Sequence, residues 1–263
     1  MNTSPPFRSY VSGSGPALIA LHGWGSSALA LSPLTVLLAH QFRIHSIDLP
    51  GFGGSLAPAT AWNTNDYAAA VADYIKENTP DGAHVLGHSF GAQVALQLAL
   101  TEPLLVKAII LIAAPVAPVE RTAWQWLRYA GIGMLRRACK AMARVMPRLG
   151  KISLEWHNRH YGSIDYKRAT NPRMREILVR IIRDDRPAIY ARLHEIDHRV
   201  LLLWGDADTA TPAYMAKRLH DRLSHSALTL LPGKDHFPFS GFGADLCAQK
   251  ILDFLSAETP HHD

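Results

Sequence analysis

The sequence predicts an α/β domain, a mostly parallel sheet flanked by helices, with a helical segment inserted into it. Three observations carry this reading. Short apolar runs alternate with amphipathic stretches, as in a sheet covered on both faces. Several of the runs end in turns that bear glycine, Asp or His, as at His22-Gly23, Gly51-Phe52-Gly53-Gly54 and Gly205-Asp206. Between residues 118 and 198 the strand rhythm vanishes, and the chain there reads as helices.

The expected strands are 17–21, 42–48, 84–87, 107–113, 199–204 and 227–231. Residues 66–77 have helical periodicity, with Asp66 in the first turn, where a negative charge suits the helix dipole. An alanine- and leucine-rich helix is expected over 92–100, and two more over 213–223 and 242–255. The fourth strand is stopped by Pro115 and Pro118. The core domain is therefore expected at 1–117 and 199–263, with a helical cap at 118–198.

Charge separates the same two parts. Residues 120–199 carry 18 Lys+Arg against 8 Asp+Glu, and the remainder carries 9 against 14. A block so different from its host reads as a separate structural unit, and its positive charge would suit an acidic carrier protein or an anionic acyl substrate. The other reading is a solvated set of helix faces whose arginine stems cover apolar surface. The 48% apolar and 19% charged shares are those of an ordinary globular chain, long enough to bury roughly three quarters of its unfolded surface. Cys139 and Cys247 have no metal-site or dithiol spacing, and the first ten residues have no basic region leading into an apolar run. The apolar runs are far shorter than the roughly 20 residues of a membrane span. A cytoplasmic protein with reduced thiols is expected, with no nucleic-acid partner and no membrane span.

Gly87-His88-Ser89-Phe90-Gly91 matches G-x-S-x-G between an expected strand and an expected helix. The serine must sit on a turn too tight for bulk two residues away, hence the glycines. Such a turn pushes Oγ out at the top of the sheet. A serine hydroxyl needs a base beside it, and the base needs a carboxylate to fix its tautomer. Downstream, the acid is expected at Asp208, after the strand 199–204, with Asp206 as the alternative. Of the histidines beyond it, His236 alone stands in a loop directly after a strand, where ligand sites of such sheets gather. The oxyanion donors are expected to be the N–H groups of Phe90 and Trp24. His22 and His88 read as structural hydrogen-bonders or packing groups. Trp124, Trp126 and Trp156 are candidates for an acyl pocket.

These residues resemble those of the α/β-hydrolase superfamily over the whole chain outside the cap. The likeness rests on Leu21-His22-Gly23-Trp24-Gly25, Asp48-Leu49-Pro50-Gly51-Phe52-Gly53, the Ser89 turn, Trp204-Gly205-Asp206-Ala207-Asp208 and Asp235-His236-Phe237. It implies the α/β-hydrolase fold and the chain order nucleophile, acid, histidine. Within that superfamily the chain is similar to the esterases that demethylate pimeloyl-carrier-protein methyl ester, sharing the His22–Gly25 and Asp48–Gly53 segments. It departs from them at the elbow, which reads His88 where they carry a tryptophan before the serine. The expected activity is hydrolysis of carboxylic esters through an acyl-enzyme, with no cofactor or metal. C–C bond hydrolysis or perhydrolysis on the same residues is the alternative, and a non-catalytic binding protein on this scaffold is the remote one.

Overall fold

The computed structural model describes residues 7–120, 123–161 and 171–257. Seven strands form one sheet in the order β1-β3-β2-β4-β5-β6-β7. They are β1 (Arg8–Ser12), β2 (Ala17–Leu21), β3 (Arg43–Asp48), β4 (Ala83–His88), β5 (Val106–Ile112), β6 (Val200–Gly205) and β7 (Ser226–Leu231). Only the edge pair β1–β3 is antiparallel; the other pairings are parallel. Central strands buried on both faces must be apolar throughout. Ile109, Ile110, Leu111 and Ile112 of β5 are accordingly fully buried, as are Leu202 and Leu203 of β6.

Helices α1 (Ser32–Leu38), α2 (Thr64–Asn78) and α3 (Phe90–Thr101) follow β2, β3 and β4. The start of α2 is set by a capping box, in which Asn63 and Asp66 each accept the other's backbone N–H. That arrangement places the helix two residues upstream of the expected start at residue 66.

Two compact units are present, Met1–Ala117 with Val179–Asp263, and Pro118–Leu178. In the second unit, α4 (Ala123–Val145) and α5 (Pro147–Tyr161) form a helical hairpin. A Cβ on Gly150 would fall 2.0 Å from Ala143 Cα, so glycine lets these two helices touch backbone to backbone. Helix α6 (Pro172–Arg180) contains the boundary between the two units, which falls after Leu178. The boundary expected at residue 198 needs correction, because residues 179–198 belong to the sheet unit. A π turn (Ile181–Asp185) and α7 (Arg186–Ala191) lie there, with α7 against α3. One oxygen of Asp185 accepts the N–H and hydroxyl of Thr64, at 2.7 and 2.8 Å. Arg186 Nε donates to Gln93 Oε1 at 3.2 Å. Composition extends the basic block to Arg199, whereas these long-range contacts tie its last part to α2 and α3.

After β6 come α8 (Ala213–His220), β7 and α9 (Gly243–Ser256). The β5–β6 pairing, with Ile109 opposite Val200 and Ile112 opposite Leu203, makes the two strands that flank the inserted unit direct neighbours.

Four histidines on or beside the sheet are held neutral. Burial lowers the proton affinity of His22 and His45, pushes His84 down to about 4 and His88 to about 3. The neighbouring charge of Arg43 adds to the effect at His45, and Lys107 and Arg199 at His84. Because their folded-state values lie below the ordinary 6.5, the unfolded chain takes up protons first. Stability is therefore expected to be complete above about pH 6.5 and to fall between 6.5 and 4. His88, which is almost fully buried, contributes a slope approaching about 1.4 kcal/mol per pH unit in that window. Urea melts from pH 8 to 4 check this; a midpoint that stays flat down to pH 4.5 contradicts it.

Candidate active site

The nucleophile candidate is built by a tight turn from β4 into α3. A Cβ on Gly87 would fall 2.5 Å from Ala92 backbone atoms, and one on Gly91 would fall 2.1 Å from the Leu21 carbonyl oxygen. Only glycine fits at either place. Ser89 itself has φ 51° and ψ −112°, a conformation L-residues rarely adopt. Its backbone is pinned at both ends, since its N–H donates to Ile112 O at 2.8 Å and its carbonyl accepts from Ala92 and Gln93. Strain of this kind persists only where the surroundings over-determine it.

Two loops close around this turn. Gly23 lies so near that a Cβ there would sit 3.3 Å from Ser89 Cβ and 3.0 Å from His88 Nδ1. His22 donates from Nδ1 to Gly23 O at 2.7 Å and accepts the Leu49 N–H at Nε2, 3.0 Å away. It thereby joins the β2 and β3 loops. The buried Asp48 carboxylate accepts the N–H of Ala28 on one oxygen and of Gly54 on the other. A side chain at Gly53, whose φ is +54°, would run into that carboxylate. The resulting loops set the Trp24 ring edge-on to Phe52 and Phe90, with centroids 4.8 and 5.3 Å apart. Among the described residues the N–H groups of Trp24 and Phe90 have no protein acceptor. They remain available to an anion.

The acid and base candidates stand at the ends of β6 and β7. Asp208 has a fully buried side chain, and Oδ2 accepts His236 Nδ1–H at 2.8 Å. The same oxygen accepts the Thr211 hydroxyl at 2.5 Å, while Oδ1 accepts the N–H groups of Ala210 and Thr211, each at 2.8 Å. Burial pushes the carboxyl's proton affinity up. The hydrogen bonds from His236 and Thr211, with attraction to His236, outweigh it and hold the carboxyl below its ordinary value. Asp206 does different work. Its carboxylate accepts Gly233 N–H at 2.7 Å at an exposed position, fixing the start of the His236 loop. A Cβ on Gly205 would fall 2.1 Å from Lys234 O, so that loop can pass only over a glycine.

His88 ties the serine turn to the His236 loop. Its Nε2–H donates to His236 O at 2.9 Å, and the two rings stand 5.0 Å apart. Ser89, its following N–H, Trp24, Asp208 and His236 thus all lie at the carboxyl edge of the sheet. Trp124 and Trp156 belong to the second unit and are 70% and 48% exposed. The Trp126 side chain lies outside the described residues. Asp48 and Trp204 enter the sequence reading only within their motif segments, with no role of their own, and Thr211, before Pro212, only as the opening of the next helix.

The profile of the alpha/beta hydrolase family matches residues 18–249. The chain belongs to this family. Among curated relatives, the pimeloyl-[acyl-carrier protein] methyl ester esterase of Nitrosomonas europaea is 29% identical over 248 residues, 88% of this chain and 92% of that one. The same-named protein of Aeromonas hydrophila subsp. hydrophila is 37% identical over 113 residues, 43% of each chain. Solved alpha/beta hydrolases share the fold across the chain. An esterase from Exiguobacterium antarcticum superposes with TM-score 0.70 at 20% identity, covering 95% of this chain and 96% of its own. The 2-hydroxy-6-oxo-6-phenylhexa-2,4-dienoate hydrolase of a Rhodococcus species gives 0.69 at 21% identity, covering 95% of each. Among the described residues no helix of this alpha/beta hydrolase is long and apolar enough to cross a membrane, and no cluster of His, Cys, Asp or Glu could hold a metal.

Proposed function

We propose that this alpha/beta hydrolase cleaves carboxylic esters through an acyl-enzyme on Ser89. The observation that carries the reading is the buried Asp208–His236 hydrogen bond, linked through His88 to a serine held at positive φ. His236 receives the Ser89 proton as Oγ attacks the ester carbon, and the carbonyl π electrons move onto oxygen. The N–H groups of Trp24 and Phe90 hold that oxyanion. When the oxyanion collapses, the alcohol departs with the proton from His236. Water then attacks the acyl-enzyme with His236 again as base, releasing the acid and free Ser89.

The acyl group proposed is an anionic one, or one carried by an acidic protein. Support comes from the basic block at 120–199 and from the names of the curated relatives, which act on an acyl-carrier-protein ester. A chain that meets its substrate through this charge is expected to lose several-fold in kcat/KM for an anionic ester between about 0.05 and 0.5 M salt. A neutral ester of the same length is expected to be indifferent. A flat profile with both removes the carrier reading and leaves the esterase reading standing. Turnover of p-nitrophenyl esters of graded acyl length, against the Ser89→Ala protein, tests the latter. Activity on a vinylogous diketone but on no ester would replace it with C–C hydrolysis. The same panel on Trp124→Ala, Trp126→Ala and Trp156→Ala tests whether any of these side chains meets the acyl group.

A further inference from the structure

We propose that Thr211 is a positioning residue for the Asp208–His236 pair, its hydroxyl holding and partly neutralising the carboxylate oxygen that accepts the hydrogen bond from His236 Nδ1–H. This rests on the reading of Ser89, His236 and Asp208 as the reacting set. Three atoms meet in a triangle: Asp208 Oδ2 is 2.8 Å from His236 Nδ1 and 2.5 Å from Thr211 Oγ1, and Oγ1 is 3.3 Å from Nδ1. The hydroxyl hydrogen points to Oδ2, because the histidine keeps its own hydrogen on Nδ1. Two backbone N–H groups already hold Oδ1. With the hydroxyl added, the carboxylate can neither rotate away from His236 nor concentrate its charge on Oδ2.

The threonine is itself immobilised. Its side chain is buried, its N–H is one of the two donors on Oδ1, and its carbonyl accepts Trp204 Nε1–H at 2.6 Å from a fully buried indole. A threonine serving only as packing would need no hydroxyl aimed at a buried carboxylate. The N-cap position of α8 is held by Pro212, the residue after it.

Removing the hydroxyl without changing shape has two consequences. Oδ2 becomes more negative, which favours the imidazolium form of His236. The carboxylate also gains rotational freedom, which loosens the base that Ser89 needs. The other ionisable groups near the pair are His88 from β4, neutral and facing His236; Asp206 in the β6 loop, engaged by Gly233 N–H; and Lys234 and Asp235 in the His236 loop. None of them is altered by the substitution.

For Thr211→Val, the acid limb of the kcat/KM profile on a small neutral ester is expected to move up by about half a pH unit. At the plateau kcat is expected to fall roughly 3- to 10-fold with little change in KM. Thr211→Ser is expected to restore both, and the limb shift is expected to vanish in an Asp208→Asn background. If the valine protein does not fold, Thr211→Ala serves in its place. A folded variant with unchanged limb and kcat, or a limb that moves down, overturns the proposal. Fluorophosphonate labelling of Ser89 in the same samples keeps the failures apart. A wild-type protein unlabelled at Ser89 defeats the catalytic reading, whereas a labelled one with an unmoved Thr211→Val profile defeats only the role of Thr211.

Discussion

Ser89→Ala is expected to abolish fluorophosphonate labelling and to lower kcat on esters by on the order of 10⁵–10⁶-fold, while the protein stays folded. The loss is large because, in the proposed mechanism, His236, Asp208 and the two N–H donors act through this one oxygen. Stability is expected to move little, since alanine keeps the Cβ that makes φ 51° unfavourable. Ser89→Gly separates the two effects further. Relief of backbone strain contributes about 1–3 kcal/mol, and the extra freedom of glycine in the unfolded chain costs about 0.5–1. The inactive glycine protein is therefore expected to melt a few degrees above wild type. Calorimetry on the three proteins checks this, and a glycine variant that melts lower would show that Ser89 is not strained. Labelling that persists in Ser89→Ala would place the nucleophile elsewhere.

Asp208→Asn is expected to reduce kcat by on the order of 10³–10⁴-fold. The direction follows from the four donors around the carboxylate. Two backbone N–H groups hold Oδ1, so the asparagine carbonyl settles there and its NH₂ faces His236. An NH₂ cannot accept Nδ1–H, so the imidazole is driven to the tautomer with its proton on Nε2. In that tautomer it cannot take a proton from Ser89. Asp206→Asn is expected to cost no more than a few-fold, because the asparagine carbonyl still accepts Gly233 N–H at the same place. Steady-state kinetics on the pair decides between them, and a reversal of severity would make Asp206 the acid.

Much of this arrangement is legible in the sequence because its strongest constraints are local. Strands β2, β5 and β6 are apolar over nearly their whole length, and the glycines at 87, 91 and 205 sit where a single methyl group would strike backbone. Other parts are invisible for the same reason. Strand β1 was not expected, since Arg8–Ser12 pairs on one edge only, is largely exposed and so carries no apolar run. The end of the inserted segment was placed too late because Asp185 and Arg186 are joined to the core by partners about a hundred residues away. His88 reads as a packing group until its bond to the His236 carbonyl appears. Thr211 reads as a helix opener, because nothing in a one-dimensional pattern shows which way a hydroxyl turns.

The pairing of β5 with β6 has a consequence for how the chain is made. When Ile112 leaves the ribosome, five strands of the sheet can already assemble, and β5 is then an open edge with an unpaired ladder. Its partner begins at Val200, so the edge stays bare while residues 113–199 are synthesised, roughly 4–17 s at translation rates of about 5–20 residues per second. An apolar strand such as Val106–Ile112 is the kind of edge that recruits other chains. The inserted unit, built from helices whose contacts are mostly close in sequence, is expected to fold within that interval. The nascent chain therefore carries this aggregation hazard before Asp208 and His236 exist, and loses it at the moment β6 docks on β5.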